Sequence, residues 1–285
     1  MSIYLASASQ AAVYLVSVSL VSVYLVSADP PSFAVFQAGR PDMPGLQAPA
    51  DALENPFWHA MTGPQAAFAQ VHTHAARYLS GVSPVGALDA DTPEAWKDLA
   101  ALTAVGDVVA VFWPEVLKRP AGWTRTSEGD VVQMVQAQGQ PPLPVPAGFV
   151  LRELGPKDVP QMLDLVRLTR PGPFRERTIE LGLYLGLWDT SAPGGSRLAA
   201  MTGQRARLQG ACEVSAVCTH PGDRRRGLAR TLVSQVAARA AGEGMLPFLH
   251  VSQDNLAALE AYRSLGFLPS RTLSINVLRR DAGES

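Results

Sequence analysis

The sequence predicts a mixed α/β protein in which helices flank a central β-sheet. Two observations support this fold class, and both come from the C-terminal half of the chain. Short apolar runs alternate with amphipathic helical stretches between residues 149 and 280. In addition, a small-residue loop at residues 224–229 joins a β-rich run to one of these helices. Strands that alternate with helices in this way are typical of a layered α/β domain.

The elements of this half follow one another in a definite order. A short strand at 149–152 precedes a helix that Asp158 is expected to cap. Three strands are predicted next, at residues 184–188, 197–202 and 212–218. After the loop, a helix, a strand, a second helix and a last strand are predicted at residues 228–240, 248–251, 255–265 and 273–277.

The chain begins with an uncharged tandem repeat. No charged residue precedes Asp29, and segments with a period of ten begin at Ile3, Val13 and Val23. A signal peptide would carry a positive n-region, and a membrane span would be less rich in Ser and flanked by Lys or Arg. We favour a third interpretation, a translated DNA repeat ahead of the true start, with Met43 as a candidate start. Residues 1–52 are therefore expected to be a repeat and linker.

A first folded unit is predicted at residues 53–140. Val108–Trp113 has the pattern of a buried strand, and a second strand is expected at Val131–Val135 after Ala121–Trp123 and a polar turn. The Pro-rich stretch at residues 139–146 marks the boundary to a second unit at residues 148–281.

Composition narrows the class of ligand. Residues 1–147 carry 6 basic and 12 acidic side chains, whereas residues 148–285 carry 18 basic and 13 acidic ones. A basic half suits a polyanionic ligand, but basic runs longer than three and interleaved aromatics, which would favour nucleic acid, are missing from the sequence. The two cysteines, Cys212 and Cys218, are expected on one face of one strand and too far apart for a disulfide. Since His and Cys lack metal-ligand spacing, we expect a reduced, cytoplasmic protein without a metal.

The loop that precedes the first long helix predicts a phosphate site. Residues 217–229 read Val-Cys-Thr-His-Pro-Gly-Asp-Arg-Arg-Arg-Gly-Leu-Ala. Such a loop presents free backbone N–H groups at a helix N-terminus, where the helix dipole also favours negative charge. Gly227 and Ala229 leave room for a ligand, while Arg224, Arg225 and Arg226 add positive charge. Neither the Gly-x-x-x-x-Gly-Lys pattern nor the Gly-x-Gly-x-x-Gly pattern of nucleotide loops is present.

This loop resembles the Arg/Gln-x-x-Gly-x-Gly/Ala pyrophosphate loop of the GNAT superfamily of acetyl-CoA-dependent N-acyltransferases. The second GNAT signature is matched by Asn255-x-x-Ala258-x-x-x-Tyr262-x-x-x-Gly266-Phe267, at the expected distance across one helix and one strand. The resemblance covers residues 148–280. Within the superfamily, residues 213–221 followed by Arg224–Gly227 look most like the branch that includes glycine N-acyltransferase C-terminal domains. The resemblance implies a GNAT fold for this half. In the first unit, Val108–Trp113, Gly122–Trp123 and Val131–Val135 resemble the end of a GNAT domain, although the loop is missing there, so we interpret this unit as a smaller, degenerate GNAT-like unit.

The resemblance also implies roles in binding acetyl-CoA. The backbone of Val217, Cys218 and Thr219 would pair with the pantetheine like an extra strand. N–H groups from Arg225 through Gly227 and Leu228 to Ala229 would hold the pyrophosphate. Asn255 matches a residue that contacts the CoA arm, although an Asn near a helix start can also serve only as a cap.

Two residues are candidates for the proton transfers. Tyr262 matches the family tyrosine near the thioester sulfur, and a phenol with a pKa of about 10 is protonated at neutral pH and can act as general acid. The alternative role for Tyr262 is that of an aromatic residue packed in the core. Glu213 is the candidate general base, since a carboxylate in an apolar strand needs a reason; a structural ion pair and an amine ligand stay open for it. His250 is the weaker candidate, with a hydrogen-bonded sheet histidine as its alternative. The turn Arg170–Phe174 either shapes the acceptor pocket or only stops a helix.

These residues together predict an acyltransferase that moves an acetyl group from acetyl-CoA to a primary amine of a small molecule or peptide by direct attack in a ternary complex. The alternative is a non-catalytic acyl-CoA-binding or regulatory module, which would need neither Tyr262 nor Glu213. We expect neither nucleic acid nor a membrane as partner, and the sequence leaves a homodimer open. The acceptor cannot be identified, because loops carry that specificity.

Overall fold

One continuous mixed sheet of eleven strands organises the computed structural model, which describes residues 50–118, 120–136, 138–192 and 195–282. The predictions for the repeat and for Met43 lie outside the described residues. The strands are β1 (Ala69–Val71), β2 (Ala75–Tyr78), β3 (Val85–Leu88), β4 (Val108–Trp113), β5 (Trp123–Val135), β6 (Phe149–Glu153), β7 (Tyr184–Asp189), β8 (Arg197–Leu208), β9 (Ala211–Thr219), β10 (Leu246–Ser252) and β11 (Leu268–Arg280). The α-helices are α1 (Pro56–Met61), α2 (Pro93–Leu102), α3 (Val159–Thr169), α4 (Leu228–Gly242) and α5 (Leu256–Arg263). The predicted fold class, a mixed sheet flanked by helices, is confirmed.

The strand order is nearly symmetric about the pair of β11 and β5, with four strands on one side and five on the other. From edge to edge it runs β1-β2-β3-β4-β11-β5-β10-β9-β8-β7-β6. The antiparallel pair of β11 and β5 lies in the middle, with β4 and β10 on either side of it. Next to these, β3 runs parallel to β4 and β9 runs parallel to β10. Each parallel pair is joined by a helix. α2 joins β3 to β4 in the first half of the chain, and α4 joins β9 to β10 in the second half.

The sheet joins the two units that the sequence predicts at residues 53–140 and 148–281. β5 belongs to the first unit by sequence, yet it lies between β10 and β11 of the second and pairs with both. The Pro-rich stretch between the units lies along α4, where the Leu143 N–H donates to the Ser234 hydroxyl at 2.9 Å and the Leu143 carbonyl accepts from the Gln235 side chain at 3.0 Å. The two units are therefore halves of one sheet, and their cores meet across it.

The prediction of a polar turn before Val131 is wrong. Residues 124–130 continue β5, which runs without interruption from Trp123 to Val135. β11 pairs along this segment and holds its backbone in the sheet, while only Thr126 and Glu128 of its side chains are exposed. Pairing with a distant strand outweighs local composition here.

Helices cover both faces of the sheet. α1 and α3 pack on one face, and α2, α4 and α5 pack on the other, as the alternation of side chains along β4, β7 and β10 requires. The predicted apolar face of α4 is buried, and it comprises Leu228, Leu232, Val233, Val236, Ala237 and Ala240. Asp158 does not cap α3 with its side chain, which instead accepts from the Gly155 N–H at 2.8 Å. In the part of the chain described, no helix combines the length and apolar character needed to cross a bilayer.

Candidate functional site

The sheet opens where β9 and β10 part. The two parallel strands pair at three positions, of which Glu213 and Phe248 form the last among the described residues. Beyond this point β9 continues against β8 to Thr219, and β10 continues against β5 to Ser252. The edge of β9 from Val214 to Thr219 therefore faces an opening, with backbone groups available to an extended ligand.

A bulge in β9 lies at the start of this opening. Between Ser215 and Cys218 the strand has one residue more than the facing segment of β8, and Ala216 adopts a left-handed φ of 53°. Because of this extra residue, each side chain of β9 after the bulge points to the face opposite to the one that a regular strand would give it. Cys212 consequently packs beneath α4, while Cys218 packs with α3 on the opposite face, so the expectation that both cysteines share a face is wrong. Both are buried free thiols.

A pocket of about 250 Å³ occupies the opening. Its walls bring together eight residues that the sequence singles out: Val217, Cys218, Thr219, Arg224, Ala229, Asn255, Ala258 and Tyr262. Three further lining residues are Thr169, Arg230 and Ala261. Of these, Arg230 could have been found from its place in the first turn of the helix after Gly227. Thr169 ends α3 and carries no motif, so only the fold brings it to the pocket.

The phosphate loop ends at the N-terminus of α4. Gly227 occupies the N-cap with a left-handed φ of 79°, and Arg225 has a φ of 63°. The Thr231 N–H donates to the Gly227 carbonyl at 3.0 Å, so the N–H groups of residues 228–230 lack acceptors within the helix. Leu228 is buried and anchors the helix, while its N–H stays in this free first turn. The loop thus provides the N–H groups and the dipole that an anion requires.

The arginines of this loop differ in what they contact. Asp223 is buried and binds Arg226 at 3.0 Å and Arg197 at 2.7 Å. The Arg226 guanidinium also lies 4.4 Å above the Phe149 ring. Arg226 therefore fastens the loop to the sheet, and the cationic side chains that line the pocket are Arg224 and Arg230.

The corresponding helix of the first half is built differently. α2 follows β3 as α4 follows β9, but its N-cap Thr92 accepts from the Ala95 N–H at 3.2 Å, which closes the helix end. Asp89, Asp91 and Glu94 surround this end. The negative side chains would repel a phosphate at this position, and the Thr92 side chain already accepts from one of the N–H groups that a phosphate would need.

Tyr262 and Asn255 both lie on α5. The Tyr262 ring packs edge-on against Phe267, with 6.2 Å between ring centroids. Burial raises the pKa of Tyr262 to about 12, which keeps the phenol protonated. Asn255 caps the helix, since its side-chain oxygen accepts from the Ala258 N–H at 3.1 Å, and it also lines the pocket. Both interpretations of Asn255 are therefore compatible with its position.

Glu213 lies in a buried ion pair. This is one of the two roles that the sequence left open for Glu213 besides that of a general base. Its carboxylate receives two hydrogen bonds from Arg205, at 2.8 and 2.5 Å, and one from the Ala206 N–H at 3.2 Å. Burial alone would raise the pKa of Glu213, but the Arg205 guanidinium and its hydrogen bonds hold it at about 2. A carboxylate so weakly basic and so fully bonded is not suited to accept a proton from an amine.

His250 completes the same buried network. Its Nδ1 lies 2.8 Å from the Glu213 carboxylate, and its Nε2 lies 3.2 Å from the Gln133 amide nitrogen, which also donates to the Leu53 carbonyl. The imidazole is thus a hydrogen-bonded sheet histidine, the alternative to a catalytic role. Cys218 is equally unsuited to attack a thioester, since burial raises the pKa of its thiol to about 12.

The turn after α3 connects the two halves. Arg170 ends the helix with a left-handed φ of 49°, and Phe174 packs edge-on against Tyr184 at 5.7 Å. Farther along, the Arg177 N–H donates to the Gly81 carbonyl at 3.1 Å and the Thr178 hydroxyl donates to the Val82 carbonyl at 2.6 Å. The first half therefore holds this segment in place beside the face on which Cys218 lies.

Comparison with known proteins identifies relatives of this architecture. Residues 185–273 match the model of the FR47-like protein family. A protein from Novosphingobium aromaticivorans assigned to the GNAT family of acetyltransferases is 33% identical, with a TM-score of 0.71 over 81% of this chain and 99% of that chain. No curated protein is significantly similar to the chain.

Two more distant structures share the fold. A GCN5-related N-acetyltransferase from Kribbella flavida is 17% identical over 79% of this chain and 93% of that chain, with a TM-score of 0.51. A tandem GNAT protein from the clavulanic acid biosynthesis pathway is 14% identical over 74% of this chain and 80% of that chain, with a TM-score of 0.50. The overall fold of this chain therefore recurs in these proteins.

Proposed function

This chain belongs to the GNAT family of acetyltransferases, and we propose that it transfers an acetyl group from acetyl-CoA to a primary amine by direct attack in a ternary complex. The observation that carries the proposal is the opening between β9 and β10. There a free strand edge, a helix N-terminus and a protonated tyrosine line one pocket. These are the groups needed to hold an amide-containing arm, a diphosphate and a departing thiolate.

The roles of the residues follow from this arrangement. The backbone of Val217–Thr219 pairs with the pantetheine, and the loop from Arg225 to Ala229 holds the pyrophosphate. Tyr262 donates a proton to the CoA thiolate as the acceptor nitrogen attacks the thioester carbon. Glu213 and His250 take no proton in this scheme, because their hydrogen bonds are used within the buried network. Within the family we favour a position near the glycine N-acyltransferase branch, on the sequence of residues 213–227 alone.

We further propose that residues 53–140 are a degenerate copy of the catalytic half. The nearly symmetric strand order and the equivalent placement of α2 and α4 support this proposal. The capped and acidic end of α2 accounts for the loss of cofactor binding in that half.

The experiment that tests the activity is release of free thiol from acetyl-CoA, measured with the full chain against a panel of small amines, amino acids and peptides. We expect release with one class of acceptor and none without an acceptor. Tight binding of acetyl-CoA with no release across the panel would instead favour the alternative, a non-catalytic acyl-CoA-binding or regulatory module.

Replacing Gly227 by alanine should weaken acetyl-CoA binding. At a φ of 79° an L-residue costs about 1–2 kcal/mol, so we expect roughly a tenfold higher Kd as the loop is strained or displaced. Within the described residues, no atom lies within 4 Å of the added methyl group, so the expected cause is the backbone conformation and not a clash. Titration calorimetry with acetyl-CoA measures the effect. The control is Gly242→Ala, in the last turn of the same helix, whose φ is not positive and whose Kd should stay unchanged.

The pH dependence of kcat/KM for the acceptor should be set by the pKa of the acceptor amine and not by the pKa of a group of the protein. The pKa of Glu213 is about 2 and that of Tyr262 about 12, so neither group changes protonation between pH 6 and 10. The neutral fraction of the amine rises tenfold per pH unit below its own pKa. An α-amine with a pKa near 8 and an alkylamine with a pKa near 10.4 should therefore give profiles that level off about two units apart. A common midpoint for both acceptors would contradict this expectation.

A further inference from the structure

The Tyr184 hydroxyl is a buried polar group whose hydrogen bonds the structure leaves unmade. Tyr184 begins β7 and is 1% exposed, and its hydroxyl has no hydrogen-bond partner among the described residues. Buried polar groups in folded proteins are nearly always hydrogen bonded, so such a hydroxyl calls for a ligand or a functional reason. By contrast, the equally buried Tyr78 donates to the Gln65 side chain at 2.6 Å.

The Tyr184 ring reaches from β7 over β8, on the side of β9. The Tyr184 ring lies across β8 at Gly203, where a Cβ would overlap the ring, so glycine at this position permits the arrangement. The partner of Gly203 on the next strand is Ser215, immediately before the bulge at Ala216. Tyr184 also packs in one apolar cluster with Cys218, which forms part of the pocket wall.

The surroundings keep the hydroxyl neutral. Burial raises the pKa of Tyr184 above its ordinary value, and the opposing charges of Arg205 and Glu213 act on it with opposite sign. The Arg205 and Glu213 side chains hydrogen bond with each other, and neither of them hydrogen bonds with the Tyr184 hydroxyl. Phe174, from the segment that follows α3, packs edge-on against the same ring and shields its outer side.

We infer that the Tyr184 hydroxyl binds and orients the acceptor amine of the proposed reaction. Tyr184 lies on the α3 face of the sheet in the same cluster as Cys218 of the pocket wall, whereas Tyr262 approaches the pocket from α5, on the other face. A phenolic oxygen that accepts an N–H of the amine leaves the nitrogen lone pair free for the thioester carbon. A neutral hydroxyl, unlike a carboxylate, does not favour the ammonium form, so the site suits amines in their neutral, nucleophilic state. This inference rests on the proposed function.

Tyr184→Phe in the full chain tests the inference through three measurements. Chemical unfolding should show unchanged or slightly raised stability, because the variant removes a buried hydroxyl to which no described residue hydrogen bonds. The Kd for acetyl-CoA should stay the same. Since one hydrogen bond is worth up to about 1.5 kcal/mol, kcat/KM for the acceptor should fall by about tenfold, mostly through a higher KM. The control, Tyr78→Phe, should lower stability and leave the KM for the acceptor unchanged.

The outcomes separate this inference from the proposed function. Turnover by the wild type together with an unchanged kcat/KM in Tyr184→Phe would overturn the inference and leave the function standing. A loss of stability in Tyr184→Phe comparable to that in Tyr78→Phe would also overturn it, because a protein group would then hold the hydroxyl. Absence of turnover by the wild type with every acceptor would overturn the proposed function and the inference with it.

Discussion

Replacing Tyr262 by phenylalanine is expected to lower kcat by about 100- to 10,000-fold while the Kd for acetyl-CoA stays the same. The variant keeps the ring, and with it the packing against Phe267, but it removes the proton that the departing thiolate would take. Because burial holds the pKa of Tyr262 at about 12, the wild-type phenol carries this proton over the whole neutral range.

Steady-state thiol release and titration calorimetry measure the two quantities separately. Tyr78→Phe serves as the control, since it also removes a buried phenolic hydroxyl but lies in the first half, bonded to Gln65. We expect its kcat to equal that of the wild type. A kcat for Tyr262→Phe within a factor of two of the wild type would remove Tyr262 from the mechanism and leave its packing as its role.

Replacing Glu213 by glutamine is expected to lower the free energy of unfolding by about 3–5 kcal/mol. The variant leaves the Arg205 guanidinium buried without its counter-charge and weakens the hydrogen bond with His250. Urea unfolding followed by circular dichroism measures the loss. A double variant, Arg205→Leu with Glu213→Leu, should be more stable than Glu213→Gln, since it removes both charges together.

The same ion pair should make the wild type sensitive to acid. The pKa of Glu213 is lowered from an ordinary value of 4.5 to about 2 in the folded chain, so its contribution to stability is fully present above pH 4.5. It is lost as the pH falls toward 2, and Glu213→Gln should lack this component of the pH dependence. If Glu213→Gln were as stable as the wild type yet inactive, the general-base role predicted from the sequence would have to be restored.

The local elements of residues 148–281 could be predicted because their signals lie close together in the chain. The buried face of α4 follows from six apolar residues at helical spacing, and the pocket draws most of its lining from two motifs. Local patterns of this kind report on a helix or a loop before any long-range contact is known.

The side chains of β9 could not be assigned to faces from the sequence alone. A six-residue spacing puts Cys212 and Cys218 on one face of a regular strand, but the bulge at Ala216 separates them. Nothing about an alanine in an apolar run indicates a left-handed φ. The pairing of β5 with β10 and β11 is equally hidden, because it joins segments more than 100 residues apart.

The partner of Glu213 could not be found from the hairpin alone. Gln209 and Gly210 form the turn between β8 and β9, with Leu208 paired to Ala211. A regular hairpin from this turn puts Ala206 opposite Glu213 and turns the Arg205 side chain to the other face. A register shift between Gln204 and Arg207 places both Arg205 and Ala206 opposite Glu213, and this irregularity, which no local pattern indicates, allows the ion pair.

The central claim is that acetyl-CoA binds in the opening between β9 and β10, and a crystal structure of the full chain with a non-hydrolysable acetyl-CoA analogue tests it most directly. We expect the pantetheine to hydrogen bond with the backbone of Val217–Thr219, the diphosphate to lie on the N–H groups from Arg225 to Ala229, and the sulfur to lie within hydrogen-bonding distance of the Tyr262 hydroxyl. An analogue bound elsewhere, such as in the groove between α3 and His220, would contradict the account.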